Sequence, residues 1–339
     1  MKKSLMTLGV LALFVLMAYG QEKKFALYSV AFYNMENLFD TIHDEGKNDY
    51  EYLPNGTNQW NTMKYKAKLK NMSEILSMLS TDKLPMGPAI IGVSEIENYR
   101  VLEDILKQPV LADRGYQYVH YEGADQRGVD CAFFYNPKLF ELTNSKLVPY
   151  VYINDTVHKT RGFLIASGNI AGEKMHFIVN HWPSRAAASP ARAGEQVRAI
   201  KDSLLREDSA AKIVIMGDMN DDPMDKSMAV ALGAKRKPAD VGPTDLYNPW
   251  WDTLKKGYGT LMYKGKWNLF DQIVFTGNLL GTDRSTLKFY KHEIFRRDFM
   301  FQKEGKYKGY PKRTQAGGVW LNGYSDHLPT IIYLIKEVK

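Results

Sequence analysis

Polar side chains recur in this chain at the points where a short apolar run ends or begins. The residues concerned are Asn34, Glu95, Asn180, His181, Asp218, Asn220, Asp326 and His327. A single such place is weak evidence of a site, because Asp and Asn also end strands for turn-forming reasons. Five such places in one chain indicate a shared site, since strand ends are where a rigid scaffold presents functional side chains.

The residue types at these places combine hard oxygen ligands with imidazoles. Glu95, Asp326 and Asn34 offer oxygen atoms that favour Mg²⁺ or Mn²⁺, with Ca²⁺ as a further candidate. His181 and His327 can transfer protons or donate hydrogen bonds to an anion. A phosphodiester needs a cation that offsets charge on oxygen, a group that activates water, and donors around the phosphate. The set therefore predicts a metal-dependent phosphodiesterase.

The elements that must position these side chains are short apolar strands separated by polar loops. The predicted strands cover residues 25–33, 89–94, 116–121, 129–135, 163–170, 175–179, 212–216, 270–275 and 330–335. Residues 69–79 and 193–204 have helical periodicity instead, each with one apolar face. Many strands and few helices indicate a layered α/β domain, in which two sheets pack face to face with helices outside.

The N-terminus has the pattern of a secretory signal peptide over residues 1–20. Two lysines precede an apolar run over residues 5–19, and small residues flank a cleavage point before Gln21. The run is shorter than the roughly 20 apolar residues of a spanning helix, although an uncleaved anchor is the alternative interpretation. We therefore expect a secreted or periplasmic protein with one domain over residues 21–339 and no stable membrane insertion of the mature chain.

Charge and cysteine content narrow the classes of partner and site. The chain carries a formal charge of +7, and removal of Lys2 and Lys3 leaves +5, which suits an anionic partner without identifying it. Cys131 is the only cysteine, which excludes a disulfide framework and a zinc site built of thiolates. It lies in an apolar run and is expected to be a small core residue. No protein partner is implied, and we expect a monomer.

Five segments that contain the residues named first form an ordered set of motifs. They are Val30-Ala-Phe-Tyr-Asn-Met-Glu-Asn-Leu-Phe-Asp40, Gly92-Val-Ser-Glu-Ile-Glu-Asn98, Asn180-His-Trp-Pro-Ser-Arg185, Gly217-Asp-Met-Asn220 and Ser325-Asp-His327. In this order they resemble the signature blocks of the endonuclease/exonuclease/phosphatase superfamily, and they span nearly all of the chain after residue 20. The resemblance implies a DNase I-like fold, a four-layer α/β sandwich of two face-to-face mixed β-sheets flanked by helices.

The resemblance also implies roles for the matching metal-site residues. Glu95 resembles the principal metal ligand of the superfamily, and Asn34 and Asp326 resemble residues that complete or support that site. Glu97 follows Glu95 by two positions and is the alternative ligand.

The same resemblance implies a set of catalytic residues. Asp218 resembles the carboxylate that orients or activates the attacking water, and Asn220 beside it would contact the phosphate. His181 and His327 resemble the pair that holds the non-bridging oxygens and handles protons. Asp271 matches the carboxylate that fixes the final histidine.

Some residues near these motifs keep two interpretations each. Arg127 and Arg185 could clamp phosphate, because a guanidinium fork matches two phosphate oxygens, or could serve at the surface. Asp130 could orient His181 or cap a strand. The segment 303–313 interleaves basic residues with two tyrosines, and it could bind the bases and phosphates of nucleic acid or be a solvated basic loop.

Other functions compete with the nuclease interpretation. A calcineurin-like dinuclear metallophosphoesterase also uses Gly-Asp and Asn-His pairs, but here Asn180-His181 precedes Gly217-Asp218 and no Asp-x-His follows the first strand. A catalytically inactive binding protein of the same fold is a further alternative. Within the superfamily, a phosphatase and a sphingomyelinase-like phospholipid phosphodiesterase compete with an extracellular endonuclease or exonuclease. The signal peptide, the basic charge and the segment 303–313 favour nucleic acid as the substrate.

Overall fold

Long apolar strands dominate the structure, a computed structural model that describes residues 23–153, 155, 157–185 and 190–338. The predicted signal peptide at residues 1–20 lies outside the described residues. The strands are β1 (Lys24–Leu38), β2 (Ile90–Ile96), β3 (Gln117–His120), β4 (Asp130–Tyr135), β5 (Phe140–Val148), β6 (Phe163–Ile170), β7 (Glu173–His181), β8 (Lys212–Asp218), β9 (Ala234–Lys235), β10 (Leu246–Tyr247), β11 (Leu261–Tyr263), β12 (Lys266–Asn268), β13 (Asp271–Thr276), β14 (Lys288–Ile294), β15 (Gln315–Ala316), β16 (Val319–Trp320) and β17 (Thr330–Val338).

Helices are fewer and cover the outside of the strands. The α-helices are α1 (Thr62–Met78), α2 (Tyr99–Leu106), α3 (Pro109–Ala112), α4 (Pro190–Glu207) and α5 (Trp251–Lys255). A π-helical turn covers Ser227–Leu232, and short 3₁₀ turns cover Tyr50–Tyr52, Pro238–Asp240, Gly277–Leu279 and Asp298–Met300. No helix among the described residues is both long enough and apolar enough to span a membrane.

The strands form two large mixed sheets. The first has the order β14-β17-β1-β2-β4-β3 and the second the order β5-β6-β7-β8-β13-β10-β9. Each contains a long parallel pair: β1 with β2 and β7 with β8. A parallel pair needs a crossover, and α1 and α4 lie in the two crossovers. β2, β7 and β8 and the second half of β1 are almost entirely buried, as expected of strands that are covered on both faces.

The inner faces of the two sheets pack directly against each other. Phe32 and Phe133 of the first sheet belong to the same buried cluster as Phe177 and Met216 of the second. Gly92 permits the close approach, because a Cβ atom at this position would lie 2.6 Å from Sδ of Met216. Burial of this apolar surface is the main favourable contribution to folding, at about 25 cal/mol per Å².

The helices complete the outer layers. Leu69 and Leu76 of α1 pack on the outer face of the first sheet. Val197 and Leu204 of α4 pack in the same way on the second sheet. The order helix, sheet, sheet, helix confirms the predicted four-layer α/β sandwich.

All nine predicted strands and both predicted helices occur in the structure, with bounds that shift by a few residues. The longer strands that were not predicted are β5 and β14, each at the edge of its sheet. Edge strands are covered less completely: β5 has a single buried residue, and β14 has half-buried residues and one exposed residue. Their sequences therefore contain too few apolar residues to indicate a strand.

Candidate active site

The carboxyl ends of the two parallel pairs meet at one end of the sandwich. Asn34 lies on β1 beside the end of β2, which carries Glu95. On the second sheet, His181 pairs with Asp218 across parallel strands, and Asp271 begins β13 directly opposite Asp218. Because the sheets face each other, polar side chains from both reach the same space.

Backbone strain is concentrated at this end of the sheets. Glu36, Asn37, Glu95 and Asn220 have φ angles of 45°, 53°, 57° and 50°. Non-glycine residues in this left-handed region cost about 1–3 kcal/mol each and persist where the surrounding structure enforces them. The surrounding structure therefore holds the ends of these strands in conformations that they would not adopt on their own.

Asn34 holds the centre of the site, where each sheet contributes a carboxylate. Its Nδ2 donates hydrogen bonds to Oε1 of Glu95 at 3.2 Å and to Oδ2 of Asp218 at 3.0 Å. Nε2 of His181 lies 3.7 Å from the same two oxygen atoms. Asn34 and Asp218 are buried, whereas Glu95 is partly exposed to the cavity above them. One amide group thus keeps two like charges close together.

The ring of His327 is held by the carboxylate of Asp271. Its Nδ1 lies 2.7 Å from Oδ2 of Asp271, and its Nε2 lies 3.8 Å from Oδ2 of Asp218. Burial lowers the pKa of this imidazole, but the charges of Asp271 and Asp218 outweigh burial and hold the pKa well above its usual value. Burial raises the pKa of Asp218 to about 7, although the nearby His327 cation opposes this.

His181 faces the same carboxylates from a different environment. Burial and the guanidinium groups of Arg161 and Arg127 hold its pKa well below the usual value. Its Nδ1 has no hydrogen-bond partner among the residues that the structure describes. Asp130, which could have oriented His181, lies instead 3.2 Å from Nε2 of His120. Of its two predicted roles, the structure favours the local one at the start of β4.

Asp326 belongs to a charged network that the motifs did not indicate. Nη2 of Arg313 lies 3.0 Å from Oδ2 of Asp326, and Nε of Arg313 donates to Oε1 of Glu36 at 2.8 Å. Lys68 of α1 is fully buried, lies 4.0 Å from Glu36 and donates to Oγ1 of Thr314. Burial raises the pKa of Glu36 to about 7 and lowers that of Lys68 to about 8. The position of Glu36 at the end of β1, in the same motif as Asn34, is the signal that could have found it.

The predicted phosphate-binding residues separate into two groups. Asn220 and Arg127 line the cavity that opens above Glu95 and His181. Arg185 does not line that cavity, because its guanidinium contacts the carboxylates of Asp221 and Asp225. These charge-assisted bonds engage Nε and Nη2 of Arg185 with carboxylates of the protein.

Three cations form one wall of the same cavity, here called the cationic wall. It consists of Arg127, Lys159 and Arg161. Of these three, Arg127 alone was singled out from the sequence, although Lys159 and Arg161 lie within the four residues before the predicted strand at 163–170. Glu95 and Asp218 line the same cavity, and the added positive charge suits an anionic substrate.

A second cavity lies on the other side of Asp326 and is here called the tyrosine pocket. Its lining includes Tyr263, Lys264, Lys306, Tyr307, Tyr310 and Asp326. Tyr263 and Tyr307 are 62% and 52% exposed, and a lysine lies over one face of each ring, Lys264 at 5.3 Å and Lys306 at 5.5 Å from the ring centroid. The pocket joins part of the basic segment 303–313 to the hairpin β11–β12, and Leu261 of that hairpin forms a β-bridge with His327.

The donor set suits a divalent cation. One ligand atom each of Glu95, His181 and Asp218 lies within 4.8 Å of the other two. Two carboxylates and a neutral imidazole can bind a hard or borderline divalent ion. Asn34 turns its Nδ2 towards both carboxylates, and Asp326 is paired with Arg313. These two predicted ligands therefore stand beside the group, with Glu95 at its exposed side.

Glu97, the alternative ligand, lies in a different cluster. Its Oε2 accepts a hydrogen bond from the backbone of Asp40 at 2.7 Å. Asp40 and Asp44 in turn bind the guanidinium of Arg100. Burial, together with the negative charge of Asp40, raises the pKa of Glu97 to about 9. Glu97 therefore supports the loop that follows β1.

Comparisons with known proteins agree with this geometry. Residues 29–336 match the sequence model described as the Endonuclease/Exonuclease/phosphatase family. A search of curated proteins gave no match. Among solved structures, the chain is similar to TDP2 of D. rerio in complex with a single-strand DNA product, with 15% identity, a TM-score of 0.54, and coverage of 91% of this chain and 99% of that chain.

Two further solved structures have the same fold. The mannosyl-6-phosphatase of Bacteroides thetaiotaomicron is 13% identical with a TM-score of 0.56, over 91% of this chain and 99% of that chain. The human Nocturnin catalytic domain with a bound sulfate anion is 14% identical with a TM-score of 0.51, over 93% and 98%. Identities this low establish a common fold and leave the substrate open.

Proposed function

We propose that this chain, which belongs to the endonuclease/exonuclease/phosphatase family, is a secreted nuclease that hydrolyses phosphodiester bonds with a divalent metal ion. Members of the family are metal-dependent phosphoric ester hydrolases. The observation that carries the proposal is the convergence of Glu95, Asp218, His181 and His327 beneath one open cavity. A cavity with acids and imidazoles at its floor and cations on one wall suits a phosphate ester.

The proposed reaction assigns one task to each side chain around the phosphate. Water attacks phosphorus, one P–O ester bond breaks, and the departing oxygen takes up a proton from solvent. Asp218 is placed to orient the water and accept its proton, since burial brings its pKa close to neutral. His327 is cationic and donates from Nε2 to a non-bridging oxygen, while Asn220, which lines the same cavity, contacts the same phosphate. The ring of His181 is neutral, and its Nε2 faces Glu95 and Asp218.

A divalent ion, Mg²⁺ or Mn²⁺ by ligand chemistry, would be held chiefly by Glu95 and would offset negative charge on a phosphate oxygen. Arg313 is paired with Asp326 and thereby keeps that carboxylate in place beside the site. The cationic wall adds attraction for the phosphates on either side of the reacting one. All of these contributions act on the negative charge of the phosphodiester, which is the main feature by which a protein can recognise it.

Nucleic acid is the substrate class that the surroundings of the site favour. The tyrosine pocket adjoins the reaction centre through Asp326 and presents the exposed rings of Tyr263 and Tyr307. Stacking of a base on an aromatic side chain contributes about 1–3 kcal/mol. Lys264 and Lys306 line the same pocket and could contact the next phosphate. A small phosphate ester would leave this pocket unused.

Product analysis tests the reaction. Circular DNA, RNA, sphingomyelin and inositol phosphates are incubated with the protein and Mg²⁺, with His327→Ala as the inactive reference. Hydrolysis of DNA or RNA above the other substrates supports the nuclease. Turnover confined to sphingomyelin or inositol phosphates would replace it with the phospholipase or phosphatase alternative. Inactivity towards all four, with metal bound, would favour the binding protein.

Variants in the tyrosine pocket test the substrate class. Tyr263→Ala and Tyr307→Ala should raise KM for nucleic acid by roughly 5- to 100-fold, which corresponds to the loss of one stacked base. Hydrolysis of a small phosphodiester such as bis(p-nitrophenyl) phosphate should not change. Tyr290→Ala is the matched control, because Tyr290 is half exposed on the distant edge strand β14. Equal KM values in all three variants would remove the pocket from the substrate path.

Secretion follows from the sequence and has a separate test. We expect cleavage after Gly20, so that the mature protein begins at Gln21. Mass spectrometry of the protein recovered from the periplasm or the medium should give this terminus. A full-length chain retained in the membrane fraction would support the uncleaved anchor.

A further inference from the structure

Arg161 is a buried cation whose place in the reaction is not explained by the motifs. It lies just before β6, and its side chain is 8% exposed. A buried guanidinium is stable in a fold only when its donors are paired. Its hydrogen-bond partners therefore indicate which part of the structure it stabilises.

The guanidinium of Arg161 binds two consecutive backbone carbonyls beside the site. Its Nε donates to the oxygen of His181 at 3.0 Å, and its Nη2 donates to the oxygen of Trp182 at 3.1 Å. Its Nη1 donates to Oδ2 of Asp125 at 2.9 Å. The planar fork of arginine can make these three bonds at once, which an ammonium group on a flexible stem cannot reproduce.

These bonds act at the point where the chain leaves β7. The backbone N–H of Trp182 still pairs with Asp218, at 2.9 Å, and the sheet ends there. The oxygen of Trp182 accepts a second hydrogen bond, from Nδ2 of Asn220 at 2.9 Å. One guanidinium thus fixes the backbone of His181 and shares an acceptor with Asn220.

The two histidines of the site differ in how their rings can be held. Asp271 contacts Nδ1 of His327 and thereby fixes its orientation directly. Nδ1 of His181 has no such partner among the described residues. The orientation of His181 therefore depends on its backbone and on packing, and the backbone at this residue is bound by Arg161.

Asp125 completes the arrangement from a third segment. Its Oδ2 also accepts from Oγ1 of Thr160 at 3.0 Å, and its Oδ1 accepts from the backbone of Arg127 at 3.0 Å. The carboxylate is 8% exposed, like the guanidinium that it binds. The pair therefore joins the loop of the cationic wall to the end of β7.

We propose that Arg161 is a positioning residue for phosphoester hydrolysis: with Asp125, it holds the backbone that carries His181 and the acceptor of Asn220 in their catalytic positions. This inference rests on the proposed function of the site. Arg161 would affect turnover through these residues, without itself needing to contact the reacting atoms.

The first experiment compares kcat and KM of Arg161→Lys with those of the unchanged protein. Displacement of a catalytic group by about 1 Å can cost on the order of 10²-fold in rate. We expect kcat to fall roughly 10- to 100-fold, with KM within about threefold. Asp125→Asn keeps one acceptor oxygen and should lose less. Arg192→Lys, at a partly exposed arginine of α4 that pairs with Glu195, makes the same substitution outside the site as a control and should keep both constants.

Chemical rescue separates positioning from general stability. In Arg161→Ala, added guanidinium chloride at millimolar concentration should restore part of kcat in a saturable way, whereas ammonium chloride should not. Thermal melting shows whether each variant is folded. If Arg161→Ala does not fold, Arg161→Lys and Asp125→Asn carry the test.

Each outcome separates this inference from the function on which it rests. Unchanged kcat in Arg161→Lys, while His181→Ala loses activity, would overturn the positioning role and leave the proposed function standing. A raised KM with unchanged kcat would overturn it too, because Arg161 would then bind substrate directly. Full activity of His181→Ala would instead contradict the proposed role of His181 itself.

Discussion

The two histidines of the active site share the carboxylate of Asp218 as a neighbour, but they differ in their other charged neighbours. His181, on the second sheet, lies beside the guanidinium groups of Arg161 and Arg127, and its pKa is well below the usual value. His327 lies between the carboxylates of Asp271 and Asp218, and its pKa is well above it. Burial acts in the same direction on both rings, so the neighbouring charges cause the difference.

This difference allows two imidazoles to perform unlike tasks on one phosphate. A protonated His327 offers a hydrogen bond and positive charge to a phosphate oxygen throughout the reaction. A neutral His181 can accept or relay a proton. The manner of support differs as well: a side-chain carboxylate fixes His327, and backbone hydrogen bonds from Arg161 fix the segment of His181.

The largest expected effect comes from the divalent cation of the site. EDTA should abolish turnover, and Mg²⁺ or Mn²⁺ should restore it. Glu95→Gln should weaken metal binding, measured by calorimetry, more than Glu97→Gln, because Glu97 faces the loop after β1. Full turnover of protein shown to be metal-free would contradict the proposed role of the metal ion. The reverse order of the two variants would move the ligand to Glu97.

The pairing of His327 with Asp271 predicts the next largest effect. His327→Ala should lower kcat by roughly 10²–10⁴-fold, the range for a positioned acid–base group. Asp271→Asn should also lower kcat while metal affinity and circular dichroism stay close to those of the unchanged protein. The two losses should be strongly non-additive, because residues that act as a unit cannot be removed twice. Losses that simply multiply would show that Asp271 does not serve His327.

The two predicted phosphate-binding arginines should differ in a smaller measurement. Arg127→Ala should raise KM by roughly tenfold, since a charged hydrogen bond contributes about 1.5–3 kcal/mol and Arg127 is exposed on the cavity wall. Arg185→Ala should change KM little and lower the melting temperature, because it leaves Asp221 and Asp225 unpaired. A large KM effect at Arg185 would place it on the substrate path after all.

The protonation states of His181 and His327 give the smallest expected effect, but they can be measured directly. In metal-free protein, long-range ¹H–¹⁵N spectra should show His327 protonated at pH 7 and His181 neutral. The raised pKa of His327 stabilises the fold below its unfolded pKa of about 6.5, and this contribution is lost as pH rises through the folded value. The lowered pKa of His181 acts at the acid side: stability is kept above about 6.5 and lost as pH falls. If both rings titrated with the same pKa, the proposed difference between His181 and His327 would be wrong.

Much of the scaffold could be predicted from the sequence, because buried central strands consist of continuous apolar runs. The strands β1, β2, β7 and β8 belong to this class, whereas the helices α1 and α4 were predicted from their helical periodicity. The polar residues at the ends of these strands were visible for the same reason, since a polar side chain contrasts with the run before it. Edge strands β5 and β14 were missed because partial exposure removes that contrast.

By itself, the sequence determined the layers of this protein and the kinds of residue at its strand ends, since both depend on local pattern. Tertiary structure alone decided which side chains meet. Asn34 reaches Asp218 across 184 positions, and Arg185 is bound by Asp221 and Asp225 instead of lining the cavity. Arg161 and Lys68 belong to none of the sequence motifs. Their charges act through burial and distance, which exist only once the two sheets have packed.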